Sequence, residues 1–93
     1  MAAELEEKVL RYKKMLESAL DDVKKTTPNG THMDRAADDY LNMARCYFND
    51  GVHFIEADDP VNALVCFSYG HAWLDAGVRI GVFSVTNREL FAA

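Results

Sequence analysis

The chain has 93 residues and a formal net charge of −5, with 49% hydrophobic and 27% charged residues. A 10.5 kDa chain folds to about 5,400 Å² of surface against about 15,000 Å² when extended. That allows one small core and excludes a multi-domain enzyme, a full dinucleotide-binding unit with a substrate domain, and a barrel. The pI of about 5.0 argues against non-specific nucleic-acid binding, which needs Lys and Arg to neutralise phosphates.

The first predicted helix runs over about 3–25. Leu5, Val9, Tyr12, Leu16, Ala19 and Val23 recur at spacings of three and four, a narrow stripe, and the other faces are charged. Such a helix lies on the periphery of something else. Thr26-Thr27-Pro28-Asn29-Gly30 is the one clear linker, because Pro fixes φ and Asn-Gly favours a turn.

The second predicted helix covers about 32–57. At about 100° per residue, Ala37, Tyr40, Leu41, Ala44, Tyr47, Phe48, Gly51, Val52 and Ile55 share an apolar side with Met33, Ala36 and Phe54. Asp38, Asn42, Arg45, Asn49, His53 and Glu56 share the polar side, and Cys46 falls with them. The helix stops at Asp58-Asp59-Pro60, where Asp59 is a good N-cap and Pro60 takes the first position of the next helix.

The third predicted helix, about 60–81, is apolar almost all round, with only Ser68, Asp75 and Arg79 in a polar stripe. A helix with so little polar surface is central or faces a second partner. The uncharged stretch Val61–Leu74 is short of the about twenty apolar residues that span a bilayer. In the tail, 82–93, Thr86 and Glu89 have capping-box spacing and Val85 and Leu90 could staple it, so a short helical turn is expected. The expected fold is therefore all-α: a three-helix up-down bundle, one domain over 1–93, with helices 2 and 3 as a tight antiparallel hairpin.

Small residues give that hairpin a register. Ala37, Ala44 and Gly51 recur every seven positions, as do Ala63, Gly70 and Gly77. Folding the chain back at 56–60 sets Gly51 against Ala63, Ala44 against Gly70, and Ala37 against Gly77. Glycine inside a helix costs about 1 kcal/mol relative to alanine, and close backbone approach would explain its use. Tyr47, Gly51, Phe54, Ala63, Phe67 and Gly70 also resemble the large and small positions of a single tetratricopeptide unit. One unit does not make a solenoid.

A wider resemblance rests on Tyr40-Leu41-Asn42-Met43-Ala44-Arg45-Cys46-Tyr47-Phe48 and on Asn62–Gly81, above all Ser68–Gly81. These stretches resemble the archaeal "domain of unknown function 357" family, over nearly the whole chain. The resemblance implies a small soluble three-helix protein. It carries over no activity and no catalytic residue.

The candidate chemistry is sparse. Cys46 and Cys66 form no CxxC and no paired His accompanies them, so no zinc site, no other metal and no cofactor is expected. Reduced thiols and the lack of a signal-peptide apolar region fit a cytoplasmic protein. His53 and Glu56 lack two further ligands. His71 and Asp75, four apart, can meet on one helix face, with Ser68 and Arg79 extending the strip. This strip is either the core of a small enzyme or nucleotide-binding domain, or a structural histidine beside an ordinary Asp75–Arg79 pair. The second reading is favoured, because one helix supplies only one wall of a pocket. Helical RNases of the HEPN class place an Arg shortly before their His, and no Arg precedes His71 or His53 at that spacing.

Val65, Tyr69, Trp73, Ala76 and Ile80 form a second apolar arc on helix 3. The first helix and the tail are the elements available to cover it. Any part left uncovered is a binding face for a protein partner or for a second copy, since aromatic anchors dominate interface energetics. The expectation is thus a non-enzymatic interaction or self-associating module, with no nucleic acid and no membrane among its partners.

Overall fold

Local sequence signals open the two later helices. Thr31 caps α2 (His32–Glu56) by accepting the Asp34 N–H at 3.2 Å. Asp59 caps α3 (Pro60–Arg79) by accepting the Asn62 N–H at 3.2 Å, and Pro60 sits in the first turn, where its missing N–H is no loss. This computed structural model describes residues 2–92. The remaining elements are α1 (Ala2–Asp22), β1 (Lys24–Lys25), β2 (Phe83–Ser84) and a 3₁₀ turn over Arg88–Leu90.

The two helix C-termini use the same device. After α3, the Gly81 N–H donates to Val78 O and the Val82 N–H to Gly77 O, with Gly81 at φ 86°. After α2, the Asp58 N–H donates to Ile55 O and the Asp59 N–H to Phe54 O, with Asp58 at φ 57°. Both are Schellman endings, one built on glycine and one on aspartate.

The helices α2 and α3 form the closest pair, an antiparallel hairpin, and α1 lies mainly on α3. The core joins Val9, Leu16 and Ala19 of α1, Ala37 and Ala44 of α2, Ala63, Phe67 and Leu74 of α3, and Val82 and Phe83 beyond it. The molecule is long, 45 × 24 × 16 Å, and its 5905 Å² of accessible surface exceeds the about 5,400 Å² expected for its mass. No helix among the described residues is long and apolar enough to cross a membrane.

Three expectations need correction. The first helix stops at Asp22, not near 25, because Lys24 and Lys25 leave it to pair antiparallel with Ser84 and Phe83. The third ends at Arg79, two residues early, where Gly81 turns the chain. The capping box does not form: Asn87 caps the 3₁₀ turn through Glu89 N–H, while the Thr86 hydroxyl and N–H both go to the Asp22 carboxylate. A charged acceptor from a distant helix end wins over a local turn.

The expected close approach of α2 is directly visible at Gly70. A methyl on Gly70 would lie 3.2 Å from the Ala44 carbonyl oxygen and 3.0 Å from Leu16 Cδ2, so α2 and α1 both approach this backbone closely. At Gly51 a methyl would overlap the Phe67 ring, and at Gly77 the Phe83 ring. At these two positions the glycine makes room for an aromatic ring.

Candidate functional site

The polar strip is split by the structure. His71 and Asp75 are both largely buried, with His71 Nε2 3.8 Å from Asp75 Oδ1. They face a cleft of about 350 Å³ between α1 and α3, lined also by Tyr12, Met15, Phe67 and Ser68 and closed by Glu89, Leu90, Phe91 and Ala92. Their polar atoms hold the tail. His71 Nε2–H donates to Leu90 O at 2.5 Å, and Asp75 Oδ1 accepts the Ala92 N–H at 2.9 Å. A carbonyl only accepts, so the proton of this bond belongs to Nε2. The Phe91 ring lies 6.0 Å from the imidazole.

Arg79 does not join them. It is exposed and lines a separate depression with Val78, Phe83, Ser84, Val85 and Arg88. The expected Asp75–Arg79 ion pair is absent, because Asp75 turns to the Ala92 N–H. Ser68 is exposed at the cleft's edge. The strip thus latches a chain segment, and no base, nucleophile and cation converge on one point.

The second arc of α3 stays largely bare. Val61, Val65, Tyr69 and Ile80 are 59%, 58%, 51% and 51% exposed. Neither α1 nor the tail lies over it. Trp73 and Ala76 are half-buried, and Trp73 belongs to the seam with α2. There Tyr40 meets Trp73 edge-on at 5.1 Å, Trp73 meets Tyr69 at 6.5 Å, and Tyr69 meets Tyr47 at 4.7 Å. An aromatic ladder therefore borders the bare stripe and fixes Tyr69 in place. A shallow open depression lies among Leu64, Val65, Ser68, Tyr69 and Ala72.

Three carboxylates hold the fold, and sequence reasoning passed over two of them, Asp22 and Asp34. Asp22 ties the end of α1 to Thr86 and Asn87, across 64 and 65 residues of chain, and these hydrogen bonds hold its carboxyl below the ordinary range. Asp34, the one buried charged side chain among the described residues, accepts from Lys25 Nζ at 2.9 Å, Thr27 Oγ1 at 2.8 Å and Gly30 N–H at 3.1 Å. The Lys25 ammonium first, then Thr27 and Gly30, lowers its carboxyl to about 2. Lys25 also reaches Asp38 at 2.8 Å, and its own value is raised by the two acids. Asp75 is the third, through the tail. Only Asp75 carried a sequence signal, its i,i+4 spacing from His71.

Cys46 lies on the polar side of α2, as expected. Cys46 is exposed and Cys66 buried, and burial pushes the Cys66 thiol up. His53 and Glu56 are exposed on α2, and among the described residues no three His, Cys, Asp or Glu side chains are grouped to hold a metal ion.

A family model described as "Protein of unknown function (DUF357)" matches residues 11–83. The chain is also similar to the crystal structure of a protein from Archaeoglobus fulgidus that matches the same family model, with 21% identity and a TM-score of 0.72. That similarity covers 90% of this chain and 96% of the other, and at such identity it speaks for the fold alone. No curated protein matches the chain at a significant level.

Proposed function

The chain belongs to the DUF357 family, one of unknown function, and on that premise we propose that it is a non-enzymatic interaction module that pairs with a second copy of itself through the bare side of α3. The observation that carries this reading is the stripe of Val61, Val65, Tyr69 and Ile80, more than half exposed after α1 and the tail have docked elsewhere. With the small residues Ala72 and Ala76 between them, these side chains recur every three or four positions along most of a helix.

The stripe has no formal charge from Val61 to Ala76, and Arg79 stands at its edge. A straight, uncharged stripe is complementary to itself about a two-fold axis, since each large residue can seat over a small one of the partner. The ladder of Tyr40, Trp73, Tyr69 and Tyr47 keeps Tyr69 from losing much side-chain freedom on pairing. Chemistry at Ser68, His71, Asp75 and Arg79 finds no comparable support, because Arg79 lies outside the cleft and the other polar groups hold the tail.

Light scattering over a concentration series tests the reading. Wild type is expected as a dimer that dissociates on dilution, and Val65→Arg or Tyr69→Arg as a monomer with unchanged helicity. Two copies at −5 each repel, so added salt should tighten the dimer. A wild-type monomer at every concentration and salt would sink the self-association reading.

A further inference from the structure

We propose that the cleft between α1 and α3 is a binding site for an extended peptide segment of another protein, one bearing two consecutive large apolar side chains, and that residues 89–92 are the internal segment it displaces. This site adjoins the bare stripe only at Ser68 and does not depend on pairing there.

The tail is held as a peptide ligand is held. Phe91 is extended, at φ −129° and ψ 148°. In an extended chain the carbonyl of one residue and the N–H two residues on point to the same side, the geometry through which neighbouring strands bond. Here the Leu90 carbonyl and the Ala92 N–H flank Phe91, and His71 and Asp75 meet them. The two side chains are one helical turn apart on α3, so a donor and an acceptor stand in the order that an extended main chain requires. Both bonds read backbone, not sequence. Any extended segment satisfies them, as in recognition by strand addition.

Preference among segments comes from the apolar side chains. Leu90 and Phe91 are half-buried against the core and the imidazole. A cleft of about 350 Å³ beside Tyr12, Met15 and Phe67 adjoins the docked tail, so a segment with longer or additional apolar groups has room there.

The internal occupant is also made to leave. Arg88, Glu89 and Ala92 are exposed, and a single 3₁₀ turn is the only regular structure there. The chain is anchored before this point, by Asp22 on Thr86 and Asn87 and by the β1–β2 pair. Residues 89–92 can therefore lift while the body of the molecule stays folded, as local openings with few buried contacts do.

The test uses a fluorescein-labelled peptide of sequence Asn-Arg-Glu-Leu-Phe-Ala and the full chain. Against wild type the internal tail competes, and apparent affinity is reduced by the fraction of time the cleft is open. The Leu90→Ser, Phe91→Ser double variant should bind the peptide about tenfold tighter than wild type, and adding Asp75→Ala should remove that gain. A peptide with both apolar residues replaced by Ser should not bind. Should the double variant fail to fold, wild type alone decides the matter by amide NMR at saturating peptide. Shifts at Tyr12, Ser68 and His71, with the 90–92 amides becoming mobile, are expected. Equal binding to all variants, no binding to any, or unmoved tail amides at saturation would overturn the proposal.

Discussion

The two sides of α3 are both apolar in sequence, yet one is covered and the other bare. On the covered side Phe67, Leu74 and Gly70 meet α1 and α2, while His71 and Asp75 bring in the tail. On the bare side Val61 and Val65 are more than half exposed, and Tyr69 is half exposed even with its edge against Tyr47 of α2. The difference lies in the polar residues. On the covered side His71 and Asp75 bond a passing main chain, and a segment without regular structure needs such partners before its backbone can be buried. Hydrophobicity alone did not decide which face was covered.

Substitution separates the two sides most sharply at Phe67 and Val65, which stand two residues apart on one helix. Phe67 is 1% exposed, so Phe67→Ala should cost about 3–5 kcal/mol in urea denaturation. Val65→Ala should stay within about 0.5 kcal/mol under conditions where the protein is monomeric. Equal losses would mean that Val65 is buried in the monomer and that the bare face does not exist. A related loss is expected at Gly51. The Phe67 ring occupies the place of its missing Cβ, so Gly51→Ala should destabilise by about 1–2 kcal/mol despite alanine's better helix propensity.

What the sequence disclosed follows the range of the interactions. The Asp59–Pro60 start of α3 was legible because the cap and the N–H that donates to it lie three residues apart. The exposed polar side of α2 was legible because it repeats with the helical period. The end of α1 was not, since β1 forms only once residues 83–84 arrive beside it. Thr86 and Glu89 have the spacing of a capping box, but Asp22 takes Thr86 from 64 residues away. Asp75 and Arg79 have the spacing of an ion pair, but the tail takes Asp75. Each failure is a local pattern losing to a distant partner that spacing along the chain does not reveal. The candidate site was half legible for the same reason. His71 and Asp75 were found, while Tyr12, Met15, Leu90 and Phe91 come from elements whose meeting is tertiary.

The α1–α2 connection and the tail anchor depend on carboxylates, and pH should expose that dependence. The Asp34 carboxyl is lowered to about 2 from an ordinary 3.8, so its contribution is complete above the ordinary value and is lost as pH falls through about 4 to 2. Asp22 is shifted the same way, so the tail anchor weakens over the acid range too. Thermal melts at pH 7, 4, 3 and 2 should show wild type losing stability across that window. Asp34→Asn should start a few degrees lower at pH 7 and lose less on acidification. Parallel curves for the two proteins would mean that the Lys25–Asp34 contact adds nothing to the folded state. Acid is also expected to mobilise the 83–92 amides before the aromatic ladder of the bare side, which contains no carboxylate.

The smallest effect separates the two Schellman endings. Gly81 and Asp58 occupy the same left-handed position after their helices, at φ 86° and φ 57°. A residue with a Cβ is disfavoured there by about 1–2 kcal/mol relative to the right-handed region, less for aspartate than for most, and glycine has no such preference. Asp58→Gly should therefore stabilise the protein by about 0.5–1 kcal/mol, reduced by the greater freedom glycine gives the unfolded chain. Gly81→Asp should destabilise it, and by more, because the turn at Gly81 also aims β2 at β1 and places Val82 in the core. If Asp58→Gly instead lowers stability, the carboxylate of Asp58 has a role at the α2–α3 turn beyond the backbone conformation it occupies.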